Sequence, residues 1–142
     1  MTADQGAARR RFEPEVTEHT QPFWDATRDR RLVIQWCPGC NAPVWYPRET
    51  CPGCLGSEYE WRESTGSGTV DAVTVMHRPG SPGMAEMVPY TVAMIELAEG
   101  VRMMSNVVGC EPYEVAPGMA VRLTWETLSD GRNLPLFEPA RP

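Results

Sequence analysis

Residues 37–54 read CPGCNAPVWYPRETCPGC. Two identical Cys-Pro-Gly-Cys knuckles flank ten residues, and those ten carry Trp45, Tyr46 and Arg48. Thiolates are soft ligands, and four of them around one tetrahedral ion suit zinc. A Cys-x-x-Cys turn lets two sulfurs converge, and Pro and Gly inside it favour the tight backbone this needs. The pattern predicts a zinc ribbon with Cys37, Cys40, Cys51 and Cys54 as ligands. Two alternatives use the same four residues. One is a rubredoxin-type iron centre, which takes the same ligands. The other is a pair of disulfides, which suits a secreted chain. The opening residues, MTADQGAARRRFEPE, hold no apolar segment, so a secretory signal is not expected. Four thiolates also close the coordination shell, whereas catalytic zinc keeps a position open. The expected role of the metal is therefore structural. A ribbon of about 25 residues buries too little surface to fold unaided, and a metal supplies the missing stability.

Upstream of the ribbon, TQPFWDATRDR (20–30) has the look of a short helix. Thr20 is placed to cap it, Pro22 is tolerated in the first turn, and Phe23 with Trp24 gives it an apolar side. LVIQW (32–36) reads as a strand entering the first knuckle, and YEWRES (59–64) as a strand returning from the second. TGSG (65–68) is a turn and a module boundary. The remainder is rich in β-formers. GTVDAVTVMHR (68–78), YTVAMIELA (90–98), VRMMSNVVG (101–109), AVRLTWETL (120–128) and LPLFEP (134–139) read as five strands. Val121, Leu123 and Trp125 alternate with Arg122, Thr124 and Glu126. Glu99-Gly100 marks a tight hairpin. Five short strands suggest a small barrel of the OB type. The stretch 111–118 is too short and proline-rich for the helix that many such barrels carry.

The expected fold class is thus mainly β: a short N-terminal helix and a rubredoxin-like zinc ribbon, then a five-stranded OB-fold barrel. The expected division is a disordered tail over 1–14, helix plus ribbon over 15–64, and OB-fold over 65–142. The longest connection, RPGSPGMAEMVP (78–89), is rich in Pro, Gly and Met. Exposed methionines offer adaptable apolar contacts, so this loop is a candidate partner surface.

The net charge is −6, and all thirteen basic residues are arginine. Residues 1–63 carry eight Arg against ten acidic residues, and 64–142 carry five against nine. Neither half has the basic balance that phosphate binding needs, so nucleic acid is not the expected ligand. No apolar run reaches the roughly 20 residues of a membrane span. A cytoplasmic protein is the expectation. No hydrolase elbow, phosphate loop or metalloprotease motif is present. His19 and His77 read as surface or packing residues. Cys110 reads as a small hydrophobe, with no base beside it in the sequence.

The order of these pieces is specific: FW before the ribbon, Tyr46-Pro47-Arg48 before the second knuckle, the Ser67-Gly68 turn, Pro89-Tyr90, and Phe137-Glu138-Pro139 at the end. Over about residues 20–139 the chain resembles the zinc-ribbon/OB-fold family long catalogued as a domain of unknown function. That family is associated with acyl-CoA enzymes of the thiolase superfamily, including steroid side-chain aldolases. The resemblance implies a non-catalytic accessory subunit that supports a thiolase-fold or lipid-transfer-protein-like enzyme. The expected assembly is two copies of each chain, with a CoA thioester held inside the complex. The partner would be a thiolase, an acyltransferase or a retro-aldolase. The expected contact residues are Trp45, Tyr46, Arg48, Met84, Met87, Pro89 and Tyr90, because aromatics, Arg and Met anchor interfaces. The alternative is a free-standing acyl-CoA or nucleic-acid binding module.

Overall fold

The apolar run that leads into the first knuckle forms strand β1 (Val33–Cys37). The computed structural model in which it lies describes residues 12–140. β1 is the middle strand of a three-stranded antiparallel sheet, between β2 (Ala42–Val44) and β3 (Glu60–Glu63). Cys37 pairs with Ala42 at the tip of the β1–β2 hairpin, and Val33 pairs with Glu63 at the base. The knuckles therefore stand at one end of the sheet. The other end, Val33 and Ile34, is sunk in the main core.

Helix α1 (Gln21–Arg28) precedes the ribbon, with Pro22 in its first turn. Thr20 stands at the N-cap position but makes no capping bond to the helix. Its Oγ1 instead accepts the Thr17 N–H at 2.9 Å, so the preceding turn takes the oxygen that the first turn would have used. Phe23, Trp24, Ala26 and Thr27 are the buried side. The last turn is fixed to the far end of the chain. Asn133 donates from Nδ2 to the Thr27 carbonyl at 2.8 Å, and its Oδ1 accepts the Thr127 hydroxyl at 2.8 Å.

The larger sheet has the order β6-β5-β4-β7-β8, all antiparallel: β4 (Ser67–Met76), β5 (Tyr90–Leu97), β6 (Arg102–Ser105), β7 (Ala120–Thr127) and β8 (Asn133–Pro139). β4 is long because it serves two partners, β5 along its length and β7 at Ser67–Thr69. A bulge at Asp71 shifts its phase, so that Val70 and Val73 both point inward. The sheet curls until its ends meet. Val107, just past β6, bridges in parallel to Phe137 of β8. The Phe137 N–H reaches the Asn106 carbonyl at 3.0 Å, and the Val108 N–H reaches the Phe137 carbonyl at 2.8 Å. The expected five-stranded OB barrel is what these strands build. Between β6 and β7 lies only a single 3₁₀ turn, Pro112–Glu114.

Gly68 explains part of the turn sequence. A Cβ there would lie 2.7 Å from Ile95 Cγ2 and 3.0 Å from the Glu96 carbonyl oxygen, so only glycine lets β4 approach β5 this closely. The Glu99-Gly100 hairpin forms as expected, with Gly100 at φ +95° and its N–H bonded to the Leu97 carbonyl at 2.9 Å. Glu99 turns back onto the junction between the two sheets. Its carboxylate accepts the Ser64 hydroxyl at 2.7 Å and the Thr65 N–H at 3.1 Å.

The two sheets share one apolar core. Phe23 and Trp24 of α1, Leu32 to Ile34 before and within β1, and Ile95, Val121 and Phe137 of the barrel form a continuous buried cluster. The ribbon tip has a separate small cluster of Cys37, Val44 and Cys51, with Tyr59 against it. The tail expected over 1–14 lies mostly outside the described residues. Its last members are held down: Glu13 accepts the Ser129 hydroxyl at 2.7 Å, and the Pro14 carbonyl accepts from Arg132 at 2.9 Å.

Candidate functional site

Each knuckle curls its two sulfurs toward those of the other. Cys37 Sγ lies 3.6 Å from Cys54 Sγ, and Cys40 Sγ lies 3.9 Å from Cys51 Sγ. All four sulfurs fall within 4.8 Å of one another. Four thiolates about 2.3 Å from a tetrahedral zinc would be about 3.8 Å apart, so the cluster has the dimensions of such a site. A disulfide would need about 2.05 Å, and all four residues are free thiols. The turn glycines make room for the sulfurs: a Cβ on Gly53 would come within 3.2 Å of Cys40 Sγ. Backbone amides point at the sulfurs as well, Cys40 N–H at Cys37 Sγ (3.4 Å) and Gly53 N–H at Cys51 Sγ (3.3 Å).

These contacts set the Cys51 and Cys40 thiols apart in their acidity. Backbone N–H groups of Cys54 and Gly53 draw the Cys51 thiol down to about 7. Hydrogen bonding with the Cys54 and Cys51 sulfurs pushes Cys40 up to about 12. A divalent cation answers that crowding, because it takes the place of the shared protons.

The knuckles have a second feature in common. The residue after each one is left-handed: Asn41 at φ +51° and Leu55 at φ +62°. Asn adopts this region readily, but Leu does so only under strain. Leu55 is also 75% exposed. Nothing in the residue type marks this position, because glycine is the residue that normally occupies it.

The segment between the knuckles is gripped by a residue that sequence reading passed over. Gln35 of β1 is buried. It accepts the Arg48 N–H at 2.8 Å and donates to the Arg48 carbonyl at 2.9 Å. A buried polar residue in an apolar strand was the available signal. With its backbone fixed in this way, Arg48 holds its side chain in solvent.

Trp45 and Tyr46 lean the other way, toward the barrel. Phe23 packs edge-on against Trp45 with ring centroids 5.7 Å apart, and the Tyr46 hydroxyl accepts the Met104 N–H of β6 at 3.3 Å. Between this segment, α1 and strands β5, β6 and β8 lies a cleft of about 480 Å³. Of the seven expected contact residues, Trp45, Tyr46, Met84 and Tyr90 line this one cleft. Arg48, Met87 and Pro89 do not. Met84 and Met87 are half-buried rather than exposed. The 3₁₀ turn Pro82–Met84 folds the loop back, with the Met87 N–H bonded to the Met84 carbonyl at 2.9 Å and the Gly80 N–H to the Tyr90 hydroxyl at 3.1 Å.

His77 and Tyr113 are hydrogen-bonded to each other on the surface, through Nε2 and the hydroxyl. His19 lies 4.0 Å from Glu49 across exposed surface. Cys110 packs half-buried against the core. None of the described helices is long and apolar enough to cross a membrane.

Two family profiles match the chain in tandem: the rubredoxin-like zinc ribbon domain of ChsH2 over residues 24–60, and its C-terminal OB-fold domain over 61–126. The chain belongs to the ChsH2 (DUF35) family of zinc-ribbon/OB-fold proteins. It is 37% identical, over 93% of its length, to a probable enoyl-CoA hydratase alpha subunit of Thermomonospora curvata, of which it spans 46%. It is 33% identical, over 82% of its length, to the 3-oxo-4,17-pregnadiene-20-carboxyl-CoA hydratase alpha subunit of Mycobacterium tuberculosis, of which it spans 37%. The chain thus covers less than half of either hydratase subunit. A DUF35 domain-containing scaffold protein of Methanocaldococcus jannaschii is 29% identical over 72% of this chain and 82% of its own. Among solved structures, a chain of the Ltp2–ChsH2(DUF35) aldolase superposes with a TM-score of 0.82 and 36% identity, over 91% of this chain and all of that one.

Proposed function

We propose that this chain is a non-catalytic accessory subunit of an enzyme complex acting on acyl-CoA thioesters. The observation that carries the reading is the match to the DUF35 chain of the Ltp2–ChsH2 aldolase, which this chain covers from end to end. The hydratase subunits share only this module with it, so hydratase activity is not part of the proposal. The partner is a thiolase-fold, lipid-transfer-protein-like subunit. The assembly is two plus two, since a two-fold enzyme presents any docking surface twice. Retro-aldol cleavage of a steroid side-chain CoA ester is the favoured reaction, because it joins the aldolase of one relative to the steroid thioester in the name of another.

Zinc at Cys37, Cys40, Cys51 and Cys54 has a mechanical part in this reading. It supplies no chemistry to the substrate. It stiffens the ribbon tip, so that the 45–48 segment presents one face. Gln35 then fixes the backbone at Arg48, and Tyr46 spans to β6. Arg48, the exposed side of Tyr46 and the loop around Met87 and Pro89 are the part of this surface open to a partner. Proton transfer and carbon–carbon bond cleavage fall to the partner's residues.

Co-expression with a thiolase-fold, lipid-transfer-protein-like candidate partner tests the reading. One peak on size exclusion, with a mass equal to two copies of each chain, is the expected result. Two separate peaks would refute the assembly. Arg48→Ala should weaken the complex without changing the circular dichroism of the isolated chain.

A further inference from the structure

The cleft beside Trp45 has a chemistry of its own. Five aromatic rings face it: Phe23, Trp24, Trp45, Tyr46 and Tyr90. No lining residue is charged, although the chain as a whole is rich in acidic residues. Its volume of about 480 Å³ lies in the usual range of small-molecule sites, which pair apolar walls with a few polar groups. One polar group is unspent. The indole N–H of Trp45 is buried without a hydrogen-bond partner. A buried donor of this kind carries a desolvation penalty until an acceptor reaches it. A thioester's CoA moiety is polyanionic and has no counter-charge here. The site therefore suits the other end of such a molecule, the hydrocarbon body.

We infer that the cleft between α1, the 45–47 segment and the barrel binds the uncharged polycyclic portion of the thioester, a small shift of the Trp45 ring bringing its buried Nε1–H onto a ketone oxygen of those rings. The identity of the thioester rests on the accessory-subunit reading above. The occupant's shape rests on the cleft: flat rings stack on aromatic walls, and one acceptor satisfies the single stranded donor. A 3-oxo steroid nucleus, the kind named in the mycobacterial relative, has this form.

Equilibrium dialysis of the zinc-loaded full chain against progesterone, an uncharged 3-oxo-4-ene steroid, tests this, with palmitate and free CoA as parallel probes. One saturable progesterone site per chain, with a Kd of about 10 µM, is expected. Palmitate should bind at least about tenfold more weakly, and free CoA should not compete. Trp45→Phe keeps a ring and removes the donor; it should weaken progesterone about fivefold. Met104→Trp, at an exposed position on the cleft rim, should fill the site and weaken binding more than about tenfold. No saturable progesterone binding would overturn the inference. So would equal affinity for palmitate, competition by CoA, or binding unchanged in both variants. Assembly with the partner is read separately by size exclusion. A complex that forms without progesterone binding refutes the cleft alone, and progesterone binding without a complex refutes the accessory-subunit reading alone.

Discussion

At the scale of single residues, the four-cysteine cluster was legible because its chemistry leaves few options. Two Cys-x-x-Cys pairs ten residues apart bring four sulfurs within reach of one ion. Cys51→Ser should therefore lower the metal content of freshly purified protein and loosen the ribbon tip. Hydrogen exchange is expected to show faster exchange over 37–56 and unchanged protection over 67–139, since the tip has its own small cluster apart from the main core. Full metal occupancy in the variant would contradict this. Leu55 was not legible, because nothing in its side chain announces a left-handed backbone. Relief of that strain predicts that Leu55→Gly is neutral or stabilising by up to about 1 kcal/mol, while Leu55→Val destabilises by about 1–2 kcal/mol. Urea denaturation of the zinc-loaded protein checks the order of the three.

Glu99 adds a pH dependence at the same scale. Burial alone would raise its pKa, but the Ser64 hydroxyl and the Thr65 amide outweigh that and hold it below the usual carboxylate value. The stability it contributes is present above the unfolded pKa of about 4.3 and is lost as pH falls through the lower folded value. Glu99→Gln should be less stable than the parent at pH 6, and the gap should close below pH 4. A gap that is constant with pH would sink the assignment.

At the scale of elements, most strands were readable from β-branched runs and alternation, with ends within two residues of those expected; β6 stops at Ser105, four residues before the expected end at Gly109, and the short β2 (Ala42–Val44) was not anticipated. What the sequence hid was how the elements are joined. Asn133 looks like a turn residue, yet its side chain ties α1 to the barrel through the Thr27 carbonyl. The joint is non-local, linking positions 106 residues apart, and no local pattern encodes it. Asn133→Ala should cost about 1–3 kcal/mol, because it strands buried polar partners. Gly68→Ala should cost about as much by overpacking against Ile95 and the Glu96 carbonyl. Chemical denaturation checks both, and a change under about 0.5 kcal/mol in either would contradict the packing described.

At the scale of the whole molecule, helix, ribbon and barrel share one core, so the chain presents its ribbon segment from a rigid base. Trp45 and Tyr46 were picked out in the sequence as anchoring residues. In the fold Trp45 is half-buried over the cleft, Tyr46 lines the cleft while remaining 50% exposed, and Arg48 stays in solvent; the sequence does not say which side each residue faces. The proposed assembly, in which a partner holds the catalytic residues, draws its support from the end-to-end match to the aldolase chain. The most direct test is steady-state turnover of a steroid side-chain CoA ester by this chain alone, by the proposed thiolase-fold partner alone, and by the two mixed at equal concentration. The account predicts no turnover from this chain, little from the partner, and full activity from the mixture. Robust turnover by this chain alone, or a partner fully active without it, would contradict the account.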